Sequence, residues 1–143
     1  MKLLNALFVG ALLTFALVFM LFVGLWNNYF KFYGVDEYFN AIFVDNVPFL
    51  WLLPVYMFVG YAIFYAPFRK IFRVFYVLLV VCILFSWHKD IGLNVGQWLF
   101  MKDGKDINLQ NQESVPTKEI YAGRYKIYIL RSDTAQILKI PKS

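Results

Sequence analysis

Three apolar runs dominate the chain: residues 3–30, 46–68 and 74–87 contain no Asp, Glu, Lys or Arg. Water-soluble domains interleave charge with apolar positions at the period of their helices or strands, so segregation into blocks predicts membrane spans. The first expected span is 6–26, whose 21 residues cover about 31 Å at 1.5 Å per residue, the thickness of a hydrocarbon core. It is too long for the apolar core of a secretory signal and reads as an uncleaved anchor. The second expected span is 47–66, with Asn46 as its cap, Pro48 in its first turn and Pro54 kinking its outer third. The third is 71–87, near the lower length limit, with Arg73 snorkelling toward the headgroups. Pro67 closes the second span four residues before the third opens, which predicts an antiparallel helical hairpin with Arg69, Lys70 and Arg73 at its tip.

The segments between and after these runs have other periods. Val35, Tyr38, Phe39, Ile42 and Phe43 keep i, i+3, i+4, i+7, i+8 spacing, a stripe that predicts a short helix along the membrane surface, begun near Asp36. The adjacent acids Asp36 and Glu37 read as solvated surface. Ile91, Val95, Trp98 and Leu99 mark a second interfacial helix, interrupted by Gly92 and Gly96. The polar stretch 102–117 reads as a linker. Beyond it Lys118–Ala122, Arg124–Leu130 and Ala135–Ile140 are rich in Ile and Tyr and separated by turn residues, which predicts strands. The expected fold is therefore membrane α-helical, with three transmembrane helices in 1–87, an interfacial segment and linker in 88–117, and a small β-hairpin or three-stranded meander in 118–143.

Composition reinforces the membrane class: 61% of the 143 residues are hydrophobic, 21% aromatic and only 16% charged, against about 45–50% apolar and about 25% charged in soluble domains. It also raises a difficulty for the tail. A unit of about 25 residues with no disulfide does not bury enough surface to fold alone. The tail must associate with the interfacial segments of its own chain or with another protein, and Tyr121, Tyr125, Ile127, Tyr128, Ile129 and Leu130 are its candidate partner-docking residues. From residue 118 onward six cations face two acids, which suits an acidic surface.

Charge placement sets the expected orientation. Lys2 with Arg69, Lys70 and Arg73 belongs on the cytoplasmic side and the tail outside or in the periplasm of an inner membrane. Lys31, Lys89, Lys102 and Lys105 lie on the outer side, so the orientation rests on cation density at the tip rather than on number. Small residues at four-residue spacing supply close-packing faces: Ala6, Gly10 and Thr14 in the first span, Gly60, Ala62 and Ala66 in the second.

Candidate chemistry is sparse. Cys82 and His88 are the only cysteine and histidine, too few for a metal cage, and His88 lies two residues beyond Ser86 and six beyond Cys82, so neither candidate nucleophile shares a helix face with it. There is no glycine-rich phosphate loop, no charge in the middle of a span, and nothing that implies a cofactor or nucleic acid. The expected role is a non-catalytic accessory, assembly or scaffold subunit of a bacterial cytoplasmic-membrane complex. Its partners would be the lipid bilayer, other membrane subunits and an extramembrane protein on the tail. The alternative is a homo-oligomeric channel or small-solute permease shaped by Pro54 and Gly60.

Overall fold

A computed structural model describes residues 1–108 and 113–142. Helix α1 (Lys2–Leu25) runs without a break into a π-helical turn, Trp26–Phe30, because no proline or charge interrupts the Leu, Phe, Ala and Val sequence before it. Gly34 then reverses the chain at φ 67°, a left-handed conformation that glycine adopts without strain, and the Val35 amide donates back to the Phe30 carbonyl at 2.9 Å. Helices α2 (Phe39–Asn46), α3 (Leu53–Phe64), α4 (Arg69–Phe85) and α5 (Lys89–Phe100) follow.

Three transmembrane helices are not what this architecture presents. Among the described residues only the unit Lys2–Phe30 is by itself long and apolar enough to cross a bilayer. Within 47–66 the chain spends Pro48–Leu52 in turns, and α3 has 12 residues, about 18 Å of helix against a core of about 30 Å. Helix α4 has 17 residues and reaches a spanning length only together with α5, to which it is bent by 99°. The prolines account for the short α3. Pro48 does not open a helix, and Pro54 does not kink one; Pro54 sits in the first turn of α3, where its missing N–H costs nothing. Asn46 ends α2 rather than capping a span, its side-chain amide donating to the Ile42 carbonyl at 2.7 Å.

The β region is also larger than a three-stranded meander. Strands β1 (Lys102–Asp103), β4 (Thr117–Ala122), β5 (Lys126–Arg131) and β6 (Ile137–Pro141) form one antiparallel sheet in the order β1-β4-β5-β6. Strands β2 (Ile107–Asn108) and β3 (Ser114–Val115) form a separate two-stranded ladder. The stretch read as a linker thus supplies three short strands. Lys102 pairs with Glu119 and Lys118 with Leu130, and the Thr117 hydroxyl donates to the Lys105 carbonyl at 2.6 Å. A bulge between Glu119 and Tyr121 shifts the register of β4 on β5. It turns the consecutive residues Ile120 and Tyr121 into the core, which a regular strand of period two does not allow.

Helices α1 and α3 run antiparallel and pack closely, Ala6 against Gly60 and Gly10 against Tyr56. Helix α4 runs parallel to α1: the Tyr76 hydroxyl donates to the Leu13 carbonyl at 2.9 Å and Trp87 Nε1 to the Met20 carbonyl at 2.8 Å. All of Lys2, Arg69, Lys70 and Arg73 therefore gather at one end of the helical layer, and the sheet sits at the other. The main core joins these two parts. Leu25, Tyr29, Phe30, Tyr33, Val35, Ile42 and Phe43 from the helical side enclose Ile120, Tyr121 and Tyr128 from the sheet.

Candidate functional site: an aromatic collar and an uncovered helix

The residues between α1 and α3 build a collar on which the sheet is seated. The π turn widens the end of α1 so that Tyr29 and Phe30 both point inward, and Phe30 meets Tyr121 edge-on at 5.2 Å and Phe100 at a 59° tilt at 5.1 Å between ring centroids. Edge-on aromatic pairs at such distances add about 0.5–1.5 kcal/mol each beyond the area they bury. Gly96 of α5 faces the Tyr29 ring, and Gly92 faces Asn28 and the Ser86 carbonyl, with no room for a Cβ at either. The two glycines are therefore the contact face of α5 rather than interruptions of it.

Polar groups at the collar are paired across the same seam. The Tyr29 hydroxyl donates to the Ile120 carbonyl at 2.7 Å, the Asp36 amide to the Tyr128 hydroxyl at 3.1 Å, and the Asn46 side chain to the Tyr121 hydroxyl at 3.0 Å. Gln97 of α5 donates to the Tyr33 hydroxyl at 2.9 Å. Burial pushes the Tyr121 phenol above its ordinary value, against a smaller downward pull from Asn46.

Ion pairs ring the collar. Arg124 grips Asp45 through two hydrogen bonds of 2.6 Å, which hold the Asp45 carboxyl below the usual range and raise the guanidinium. Asp36 accepts from Lys139 at 2.7 Å and lies 3.6 Å from Lys126, and the Lys139 bond chiefly lowers its pKa. Arg131 pairs with Asp133 in the β5–β6 turn at 2.7 Å. Four of the six tail cations are thus matched to carboxylates of this chain, three of them to acids in the 27–46 connection.

Glu37 departs from the solvated-surface reading. It is 7% exposed, tucked over Gly123 of the β4–β5 turn, with one oxygen accepting the Tyr125 amide at 3.2 Å and Oε2 without a protein hydrogen bond. Asp36, beside it, is exposed and bridged. No helix carries either residue; α2 begins only at Phe39.

The partner-docking candidates divide. Tyr121 and Tyr128 are 5% and 0% exposed and belong to the collar, so they offer nothing to a second protein. Tyr125 is 73% exposed; Ile127, Ile129 and Leu130 are half-buried, Leu130 against the core and the two isoleucines, by alternation, on the other face of the sheet. The collar roles of Tyr29, Asn46, Gly92 and Gly96 escaped the sequence reading, since the hydrogen-bond partners of Tyr29 and Asn46 lie 91 and 75 positions away and the two glycines meet Asn28 and Tyr29 with no spacing signal.

The small-residue positions come together in the helical layer. Ala6, Gly10 and Thr14 line the buried face of α1, and Gly60 and Ala62 that of α3, with Ala66 buried just past its end. At the far end Arg69 and Lys70 are exposed, and Arg73 Nε donates to the Ile63 carbonyl at 3.1 Å while its guanidinium lies 5.6 Å from the Phe64 ring centroid. Helix α4 itself has no buried residue: Ile71, Val74, Phe75, Val77, Leu78, Leu79, Val81, Leu84 and Phe85 are all exposed large apolar side chains.

Among the described residues no group of three or more His, Cys, Asp or Glu is placed to hold a metal ion, and Cys82 is exposed on α4. No protein-family model, curated protein or solved structure matches the chain.

Proposed function

We propose that the chain is a non-catalytic scaffold subunit of a membrane complex, in which α1 crosses the bilayer and α4 offers its apolar surface to a partner helix and to lipid. The observation that carries this reading is α4: 17 residues, rich in Val, Leu, Ile and Phe, and none of them buried. An apolar face of that extent is costly in water and is commonly an interaction surface. The segregation of four cations at one end of the helical layer supports an orientation with that end cytoplasmic. The sheet, seated on its own collar, would then lie on the outer side, with Tyr125, Ile127 and Ile129 as its remaining outward contacts.

The test places a photoreactive amino acid at Val74, Val77 or Leu78 in the tagged full chain, irradiates intact cells, and identifies crosslinked products after mild-detergent extraction. A specific crosslink from α4 to another membrane protein supports the reading. A monodisperse monomer whose α4 captures only lipid overturns it. A chain released from the membrane fraction by alkaline carbonate removes the premise of a bilayer-crossing α1.

A further inference from the structure

An open apolar cleft of about 420 Å³ lies between α1, α3 and α4. Leu17, Phe58, Ile63, Phe72, Phe75 and Leu79 are among its walls. The cleft begins at Ile71 and Phe72 in the first turn of α4, immediately beside Arg69, Lys70 and Arg73. Those three cations make no ion pair among the described residues, and the sequence contains no Asp or Glu between residues 46 and 89. Arg73 is fixed at the mouth by its bond to Ile63, itself a wall residue, and by the Phe64 ring. Its remaining N–H donors make no hydrogen bond among the described residues.

A hydrocarbon slot opening onto unpaired cations is complementary to an amphiphile with an acyl chain and a negative head. A partner helix fits poorly, since one 5.4 Å turn of a helix 10–12 Å wide already takes up about this volume. A free phosphate would satisfy the cations and leave the apolar walls uncovered. We propose that the cleft holds an acyl chain of an anionic phospholipid, whose phosphate sits on Arg69, Lys70 and Arg73; this rests on the membrane reading above.

The test uses the purified full chain in phosphatidylcholine nanodiscs doped with phosphatidylglycerol carrying a photoreactive group on its acyl chain, with a phosphatidylcholine probe of the same chain as reference. The expected result is preferential labelling of peptides spanning Phe58–Ile63 and Phe72–Leu79 by the anionic probe. Arg69→Gln with Lys70→Gln should lower that preference about fivefold per cation removed. Neither side chain makes a hydrogen bond or ion pair among the described residues, so this variant avoids the structural role of Arg73. Leu79→Trp should fill the cleft and reduce labelling by both probes. Equal labelling by the two probes, an unchanged preference in the double variant, or displacement of the anionic probe by millimolar inorganic phosphate would each overturn the lipid site. A chain that resists alkaline carbonate yet labels indifferently fails this inference alone, whereas carbonate release fails the membrane reading first.

Discussion

The Tyr29 hydroxyl donates a 2.7 Å hydrogen bond to the Ile120 carbonyl, joining the π turn that ends α1 to the bulge in β4 across 91 positions. Both residues have 0% exposure, so no water replaces the bond if it is removed. Tyr29→Phe keeps the ring against Phe30 and Phe100 and deletes only the hydroxyl. The orphaned carbonyl should cost about 1–3 kcal/mol, read as faster hydrogen exchange of β4 and β5 amides with the α1 amides unaffected. Unchanged exchange in β4 would show that the bond does not hold the sheet to the helix.

The α1–α3 seam makes a prediction whose sign runs against helix propensity. Alanine favours a helix over glycine by about 1 kcal/mol, so Gly10→Ala on an open face should stabilise. At this position the added Cβ meets the Tyr56 carbonyl, and at Gly60 it meets the Ala6 backbone, where nothing flexible is present to yield. Each substitution should therefore destabilise the chain in detergent and lower its apparent melting temperature, the overpacking cost of up to about 3 kcal/mol outweighing the gain of about 1 kcal/mol in propensity. A rise in melting temperature for either variant would mean that the two helices are not in backbone contact.

What the sequence makes legible follows the physics of each element. Helix α1 is visible because its apolar run is unbroken, and β5 because Ile127, Tyr128, Ile129 and Leu130 carry strand chemistry between turn residues. Pro54 misleads, because a proline in an apolar run is equally compatible with a kink inside a helix and with the first turn of a shorter one, and only the turn at Pro48–Leu52 decides. Strands β1, β2 and β3 are invisible, since Lys-Asp, Ile-Asn and Ser-Val pairs have no period to read. The seat of the tail lay within reach: a basic tail too small to fold alone and an acidic 27–46 connection in the same chain are complementary, and Arg124 with Asp45 and Lys139 with Asp36 are that complementarity realised. The burial of Tyr128 and Tyr121 depends on the bulge and the π turn, neither of which leaves a pattern in the residues.

Those two bridges also set a pH dependence. Asp36 and Asp45 both have depressed pKa values in the folded chain, through Lys139 and Arg124 respectively. A carboxylate whose folded pKa lies below its unfolded value of about 3.9 stabilises above that value and loses the contribution as pH falls through the folded pKa. The seating of the sheet should thus be indifferent between about pH 5 and 8 and loosen below about pH 4. Both pairs are solvent-exposed, so the loosening should be slight and should shrink in 1 M salt. Near-ultraviolet dichroism of the collar aromatics against pH measures it, and Asp45→Asn combined with Asp36→Asn should flatten the acid limb. A transition centred near pH 6 in place of the acid limb would assign the seating to another group.

Glu37 separates two roles that one carboxylate now combines. Its bonded oxygen accepts the Tyr125 amide at 3.2 Å and closes the β4–β5 turn over Gly123, whereas Oε2 is buried without a hydrogen bond and Glu37 has no salt bridge among the described residues. A hydrogen bond to a turn amide does not need a full charge, and an unpaired buried charge is costly. Glu37→Gln keeps an acceptor oxygen for Tyr125 and removes the charge, so the variant should melt at or above the temperature of the parent chain. Glu37→Ala removes the acceptor and opens a gap beside Gly123, and should lower stability by about 1–3 kcal/mol. The pair of melts distinguishes a structural latch from a carboxylate kept for a ligand. If Glu37→Gln is as destabilising as Glu37→Ala, the negative charge itself is holding the turn, and Arg124, the nearest cation on that turn, becomes the group to substitute next.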